Sequence, residues 1–111
     1  MAKANIASLR KGETVMAAYL VTEIEITDPA GYEEYRKGVG ATLAAYGGRN
    51  LVRPGGKMEV LEGEWVPKRL VILEFPSIAQ LKAWYDSPEY RPLLQIRLRT
   101  AKSKMIMIEG A

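Results

Sequence analysis

At Asp28-Pro29 the sequence changes period. Before it, residues 17–26, AAYLVTEIEI, alternate: Ala18, Leu20, Thr22, Ile24 and Ile26 fall on one face, and Tyr19, Val21, Glu23 and Glu25 on the other. A period of two with one apolar face predicts a strand lying on a core. After it, Tyr32, Tyr35, Val39, Leu43 and Tyr46 recur near helical spacing. Asp28 offers an N-cap carboxylate, and Pro29 at the first helical position has no N–H to waste. Gly47-Gly48 stops the helix, because glycine takes the left-handed conformation at little cost. Gly38 and Gly40 weaken the helix midway and leave room for close packing. A strand that runs directly into a helix of this length makes the chain mixed α and β.

The remaining segments extend that pattern. Arg49–Arg53 predicts a short strand, Pro54-Gly55-Gly56 a turn and Met58–Glu62 a return strand, so 49–62 is expected to be a hairpin. Gly63–Lys68 is a loop holding Trp65 and Pro67. The nearly all-apolar Arg69–Phe75, RLVILEF, predicts a strand central in the sheet. Ser77-Ile78-Ala79-Gln80 has the form of a capping box for a helix through Leu81, Trp84 and Tyr85. Ser87-Pro88 offers a second cap, but Pro92 would remove a bond from a helix begun at Pro88. Residues 87–91 are therefore expected to turn before a helix over about 92–102, and Lys104–Glu109 to form the last strand. The order βαββα(α)β predicts an α+β, ferredoxin-like domain over 16–111: one antiparallel sheet with its helices on one face. Residues 1–15 have weak periodicity and are expected to be an extension outside the fold, or else a segment packed across a partner subunit.

Composition narrows the chemistry. The chain has 111 residues, with 16 basic and 13 acidic side chains. Residues 1–15 hold Lys3, Arg10 and Lys11 against Glu13, a net +2, which leaves a net +1 on the rest. A body so nearly balanced has no basic stripe, and no nucleic-acid partner is expected. There is no cysteine and no histidine. The chain thus lacks the usual proton shuttle at neutral pH, the usual haem ligand and the commonest zinc ligand, and neither a metal site nor a bound cofactor is expected. No apolar run approaches the ~20 residues that cross a bilayer, and the first fifteen residues hold no apolar signal core, so a cytoplasmic location is expected.

Several strings resemble a known family. They are Asp28-Pro29 with Tyr32 and Tyr35, Tyr46-Gly47-Gly48-Arg49, Val60-Leu61-Glu62-Gly63, Glu74-Phe75-Pro76-Ser77 and Trp84-Tyr85-Asp86-Ser87-Pro88-Glu89-Tyr90, with Arg97 and the closing Glu109-Gly110. Their order and spacing are similar to the family known as domain of unknown function 1330, of the dimeric α/β-barrel superfamily, over residues 16–110. Pro54 between Arg53 and Gly55 departs from the family's common Arg-Gly-Gly turn. The resemblance implies a ferredoxin-like subunit whose sheet packs face to face with that of a second copy. It implies no activity: relatives in the wider superfamily include cofactor-free monooxygenases, lactone isomerases, haem enzymes and stress-response dimers.

Six residues are candidate ligand contacts: Arg97, Arg49, Arg53, Tyr85, Tyr46 and Glu62. Arg97 falls among Tyr90, Leu93, Leu94 and Ala101 on or beside an apolar helix face. A guanidinium there needs an anion, supplied by an internal carboxylate or by a ligand, or it must reach for the edge. Arg49 and Arg53 share a strand face with Leu51 and would form either a cationic rim or a solvated edge. Glu62 and Glu64, flanking Gly63 at a strand end, would be a base or an ion-pair partner. Tyr32, Tyr35, Tyr46, Tyr85 and Tyr90 suit either a pocket for a small planar ligand or core filling. Two functions fit these residues. One is cofactor-free binding or conversion of a small acidic or aromatic molecule; the other is a non-catalytic dimeric binding or stress-response module. No catalytic residue is assigned. A homodimer is expected in either case, because the face carrying Tyr19 and Val21 is otherwise uncovered.

Overall fold

The computed structural model describes residues 16–111. The expected N-terminal extension, 1–15, lies outside the described residues. The elements are β1 (Ala18–Ile26), α1 (Pro29–Ala45), β2 (Arg49–Asn50), β3 (Leu70–Phe75), α2 (Ile78–Tyr85), α3 (Arg91–Thr100) and β4 (Ala101–Glu109). The four strands form one antiparallel sheet in the order β2-β3-β1-β4, as a ferredoxin-like βαββαβ chain requires. The alternation in β1 sets the two faces. Ala18, Leu20 and Ile24 are buried, and they join Leu73 and Phe75 of β3 in a core with Tyr32, Tyr35 and Leu43 of α1, Leu81 and Trp84 of α2 and Leu94 of α3. One register places Val21 beside Ile72 and Ile106, and Tyr19 beside Glu74 and Ile108, on the opposite face.

The helix signals act largely as the sequence predicts. The Asp28 side chain accepts from the Gly31 N–H at 3.2 Å, and α1 ends where Gly47 takes φ +79° and the Gly48 N–H reaches back to the Leu43 carbonyl at 2.8 Å. Only half of the capping box at Ser77 forms. Its hydroxyl accepts from the Gln80 N–H at 3.1 Å, but the Gln80 amide donates to the Tyr46 carbonyl at 2.9 Å, tying α2 to the end of α1. Ser87 bridges two helices: its hydroxyl donates to the Trp84 carbonyl at 2.8 Å and accepts from the Tyr90 N–H at 3.1 Å. Pro92 then falls in the first turn of α3, where a missing N–H costs nothing. Strand β4 begins at Ala101 and not at Lys104, because the Thr100 carbonyl accepts from both Thr27 (2.8 Å) and Asp28 (3.0 Å) and so puts β4 in register with the end of β1.

The expected hairpin over 49–62 is corrected by the structure. The turn forms, with the Gly56 N–H bonded to the Arg53 carbonyl at 2.9 Å, but β2 is only Arg49–Asn50 and Met58–Glu62 is not a strand. Beyond the single further bond from the Leu51 N–H to the Ile72 carbonyl, the chain leaves the β3 edge. A return strand then has no ladder to join, and two strands alone are marginal in water. Leu61 is accordingly 89% exposed.

Close approach makes Gly48 sensitive. A β-carbon there would stand 2.6 Å from Phe75 Cε2, and Phe75 is fully buried against Trp84, ring centroids 5.4 Å apart. Gly48→Ala is expected to lose ~1–3 kcal/mol of stability through overpacking, measured by denaturant unfolding. An unchanged midpoint would show that the Phe75 ring yields freely.

Candidate functional site

Between α1 and the core face of the sheet lies a cavity of ≈ 380 Å³. Its floor includes Leu20, Thr22 and Ile24 of β1 and Val71 and Leu73 of β3; Tyr32, Tyr35 and Val39 of α1 form a wall, with Trp84 at depth. The mouth carries Arg36, Gly40, Asn50 and Pro54. The apolar body follows from the two periodicities, since β1 and α1 each turn their apolar residues to the same layer. The charges are one-sided. Arg36, Arg69 and Arg97 line the cavity, and among the described residues no Asp or Glu does.

Arg97 is the most confined of the three, at 3% exposure. It projects from α3 toward β4 and α1: Nε donates to the Tyr90 hydroxyl at 3.3 Å and Nη1 to the Ser103 hydroxyl at 2.8 Å. Among the described residues no carboxylate pairs with it. The internal ion pair, one of the alternatives raised by the sequence, is therefore absent from the described structure. Arg69, just before β3, is half-buried, and its Nε is buried without a hydrogen-bond partner among the described residues. Arg36 stands at the exposed rim, paired with Glu33 one helical turn away.

The aromatic wall is hydrogen-bonded where it is deep. The Tyr35 and Tyr90 hydroxyls lie 2.8 Å apart, and Trp84 Nε1 donates to Thr42 Oγ1 at 3.0 Å. Trp84 stacks on Tyr90 with ring centroids 4.0 Å apart, and Tyr32 on Tyr35 at 5.3 Å. Burial pushes the Tyr35 hydroxyl well above the usual phenol range, and the neighbouring Tyr90 adds to the rise. Burial also raises Tyr32, against the pull of Arg69 and Arg97. Both phenols therefore keep their hydrogen at neutral pH.

Of the six candidates, the structure brings only Arg97 to this cavity. Arg49 lies on the outward face at the β2 edge, bonded through Nε and Nη2 to Glu74 at 2.7 Å. Arg53 does not share its strand face, since the chain has left the sheet by then. Tyr46 donates to Glu89 at 2.9 Å, and Tyr85 packs under the Arg91 guanidinium, 5.4 Å from its ring centre. Glu62 is exposed in the segment between β2 and β3, not at a strand end. Arg69 was missed because it opens an apolar run and looks like a strand-end charge; Asn50 carries no signal in sequence. Among the described residues no three Asp, Glu, His or Cys side chains cluster as metal ligands, and no helix is long and apolar enough to cross a membrane.

Solved structures show the same fold. A protein of unknown function from Rhodopseudomonas palustris is 20% identical, with a TM-score of 0.70 over 98% of this chain and 93% of that one. SnoaB, a cofactor-independent oxygenase from Streptomyces nogalater, is 13% identical, with a TM-score of 0.58 over 86% and 94%. A conserved protein from Methanosarcina mazei is 14% identical, with a TM-score of 0.51 over 86% and 95%. No curated protein is significantly similar in sequence. The β1 alternation, the capped α1, the Tyr-Gly-Gly-Arg stop and the Ser-Pro-Glu-Tyr bridge between helices all fall within residues 17–111, and over that span the chain belongs to the family of domain of unknown function 1330.

Proposed function

We propose that this protein binds a small organic anion with an apolar, planar body in the cavity beneath α1, with Arg97 as its anchor, and that it does so as a homodimer without a bound cofactor. One observation carries the reading: a guanidinium at 3% exposure has two neutral hydroxyls for partners and no carboxylate among the described residues. A buried cation left so is costly unless an anion joins it. Arg97 has five N–H donors and commits two of them to Tyr90 and Ser103, so the fork retains capacity for a carboxylate. The apolar floor and the Tyr32–Tyr35 wall suit a flat hydrocarbon body, and ≈ 380 Å³ accommodates one of single-ring size.

Binding, and not acid–base catalysis, is what these groups support. The resolved shifts of the cavity's phenols run upward, away from neutrality, so neither offers a base. A panel of small carboxylates, from acetate to benzoate and phenylacetate, screened by thermal melting checks the reading. The aromatic acids are expected to raise the melting temperature at millimolar concentration, and acetate less, because only the former fill the apolar floor. No rise with any of them, and no binding by calorimetry, would remove the proposal.

A further inference from the structure

The hydrogen-bond chain behind the cavity has a direction. Arg97 Nε can only donate, so across 3.3 Å the Tyr90 oxygen accepts. Tyr90 has one hydrogen of its own, and its remaining side-chain partner is the Tyr35 hydroxyl at 2.8 Å. One hydrogen lies between those two oxygens. If Tyr35 supplied it, the Tyr90 hydrogen would have no acceptor at a residue that is 0% exposed, an expensive arrangement. If Tyr90 supplies it, the hydrogen left over belongs to Tyr35, and Tyr35 lines the cavity while Tyr90 does not. The permanent charge of Arg97 favours this second order, because each donor in the chain is polarised by the one before it.

We infer that the Tyr35 hydroxyl is a second recognition point, donating to an oxygen of the bound anion, and that the preferred ligand is an oxo acid: a carboxylate with a carbonyl or enolate oxygen one or two carbons away. This rests on the reading of the cavity as an anion site anchored by Arg97. The spacing follows from Tyr90, whose oxygen touches both Arg97 Nε and Tyr35 Oη, so the Tyr35 hydroxyl stands at most two hydrogen-bond lengths from Nε, and one guanidinium width more from the Nη hydrogens left for a ligand. Donors so close serve two oxygens of one small acid, not two ends of a long one. Thr22 and Asn50 also line the cavity, and neither side chain has a hydrogen bond among the described residues, whereas Arg36 at the rim is held by Glu33. The raised pKa of Tyr35, which burial and Tyr90 produce, keeps its hydrogen in place at neutral pH. Tyr90 is a positioning residue, acting through Tyr35.

Benzoylformate and phenylacetate test the inference, since they differ by a carbonyl in place of a methylene and both are ionised at neutral pH. Calorimetric titration of the wild-type protein is expected to show benzoylformate bound ~10-fold more tightly, the worth of one well-placed hydrogen bond. In Tyr35→Phe that preference should fall to about one, with phenylacetate affinity within about twofold of wild type. In Tyr90→Phe, which leaves the Tyr35 hydroxyl but removes its orienting partner, the preference should fall part of the way. Tyr90→Phe also keeps the test open should Tyr35→Phe not fold, which a ligand-free melt establishes. Equal affinity of the two acids for wild type, or a full preference surviving in Tyr35→Phe or Tyr90→Phe, overturns the Tyr35 assignment alone. Binding of neither acid, or phenylacetate affinity unchanged in Arg97→Met, overturns the anion site and the assignment with it.

Discussion

Replacing Arg97 with Met is expected to abolish carboxylate binding while leaving the ligand-free protein as stable as wild type or more so. The two effects have opposite origins. Removing a hydrogen-bonded charge that a bound carboxylate would share costs ~2–5 kcal/mol of affinity, which is at least ~30-fold in Kd. In the ligand-free protein the same guanidinium is buried with, among the described residues, only the Tyr90 and Ser103 hydroxyls to replace its water. Its desolvation costs several kcal/mol, against ~1.5–3 kcal/mol gained at each charged hydrogen bond. Met has a comparable volume and fills the site without that charge. Had an internal carboxylate held Arg97, the substitution would instead strand a buried anion and lose ~3–5 kcal/mol. Thermal melts of wild type and Arg97→Met, each with and without phenylacetate, separate these cases. Four equal melting temperatures would mean that Arg97 anchors nothing.

The second large effect concerns the sheet face turned away from the helices. Wild-type protein at micromolar concentration is expected to have the mass of two chains in light scattering, and the double variant Ile106→Glu, Ile108→Glu the mass of one. Ile106 and Ile108 are 64% and 56% exposed, beside Val21 and Tyr19 in register. The segment between β2 and β3 follows this face: Glu23 accepts from Trp65 Nε1 at 3.4 Å and from the Lys68 N–H at 3.2 Å, while Trp65 and Val66 stay 61% and 70% exposed. A second copy would cover both the strand residues and the segment. Glu23 faces Lys104 and Glu25 faces Lys102 across the β1–β4 ladder, so the face also carries charges of both signs that a two-fold partner can match. Two carboxylates placed in such an interface, each costing several kcal/mol unpaired, would weaken association by at least ~1000-fold. Both positions are open to solvent in the single subunit, so the monomeric variant should melt cooperatively. A wild-type mass of one chain would defeat the homodimer and leave the face to another partner.

Local rules carried much of the fold from the sequence. The β1 alternation, the Asp28-Pro29 start and the Gly47-Gly48 stop act within a few residues, where N-cap geometry and the left-handed glycine decide the outcome whatever lies further away. The burial of Arg97 was legible for the same reason, because helical spacing alone puts it beside Leu94 and Tyr90. Tertiary structure decided the rest. Met58–Glu62 has an acceptable strand pattern but no strand beside it, and a strand exists only by pairing. Arg49 and Arg53 lost their shared face when the chain left the β3 edge, a matter of where the sheet ends. Tyr35 and Tyr90 are 55 residues apart, and only the packing of α3 against α1 sets their hydroxyls 2.8 Å from each other. Whether Arg97 met a carboxylate was equally a question of what the fold brought near it. Periodicity places a side chain on a face; it does not say which groups, many residues away, will stand opposite.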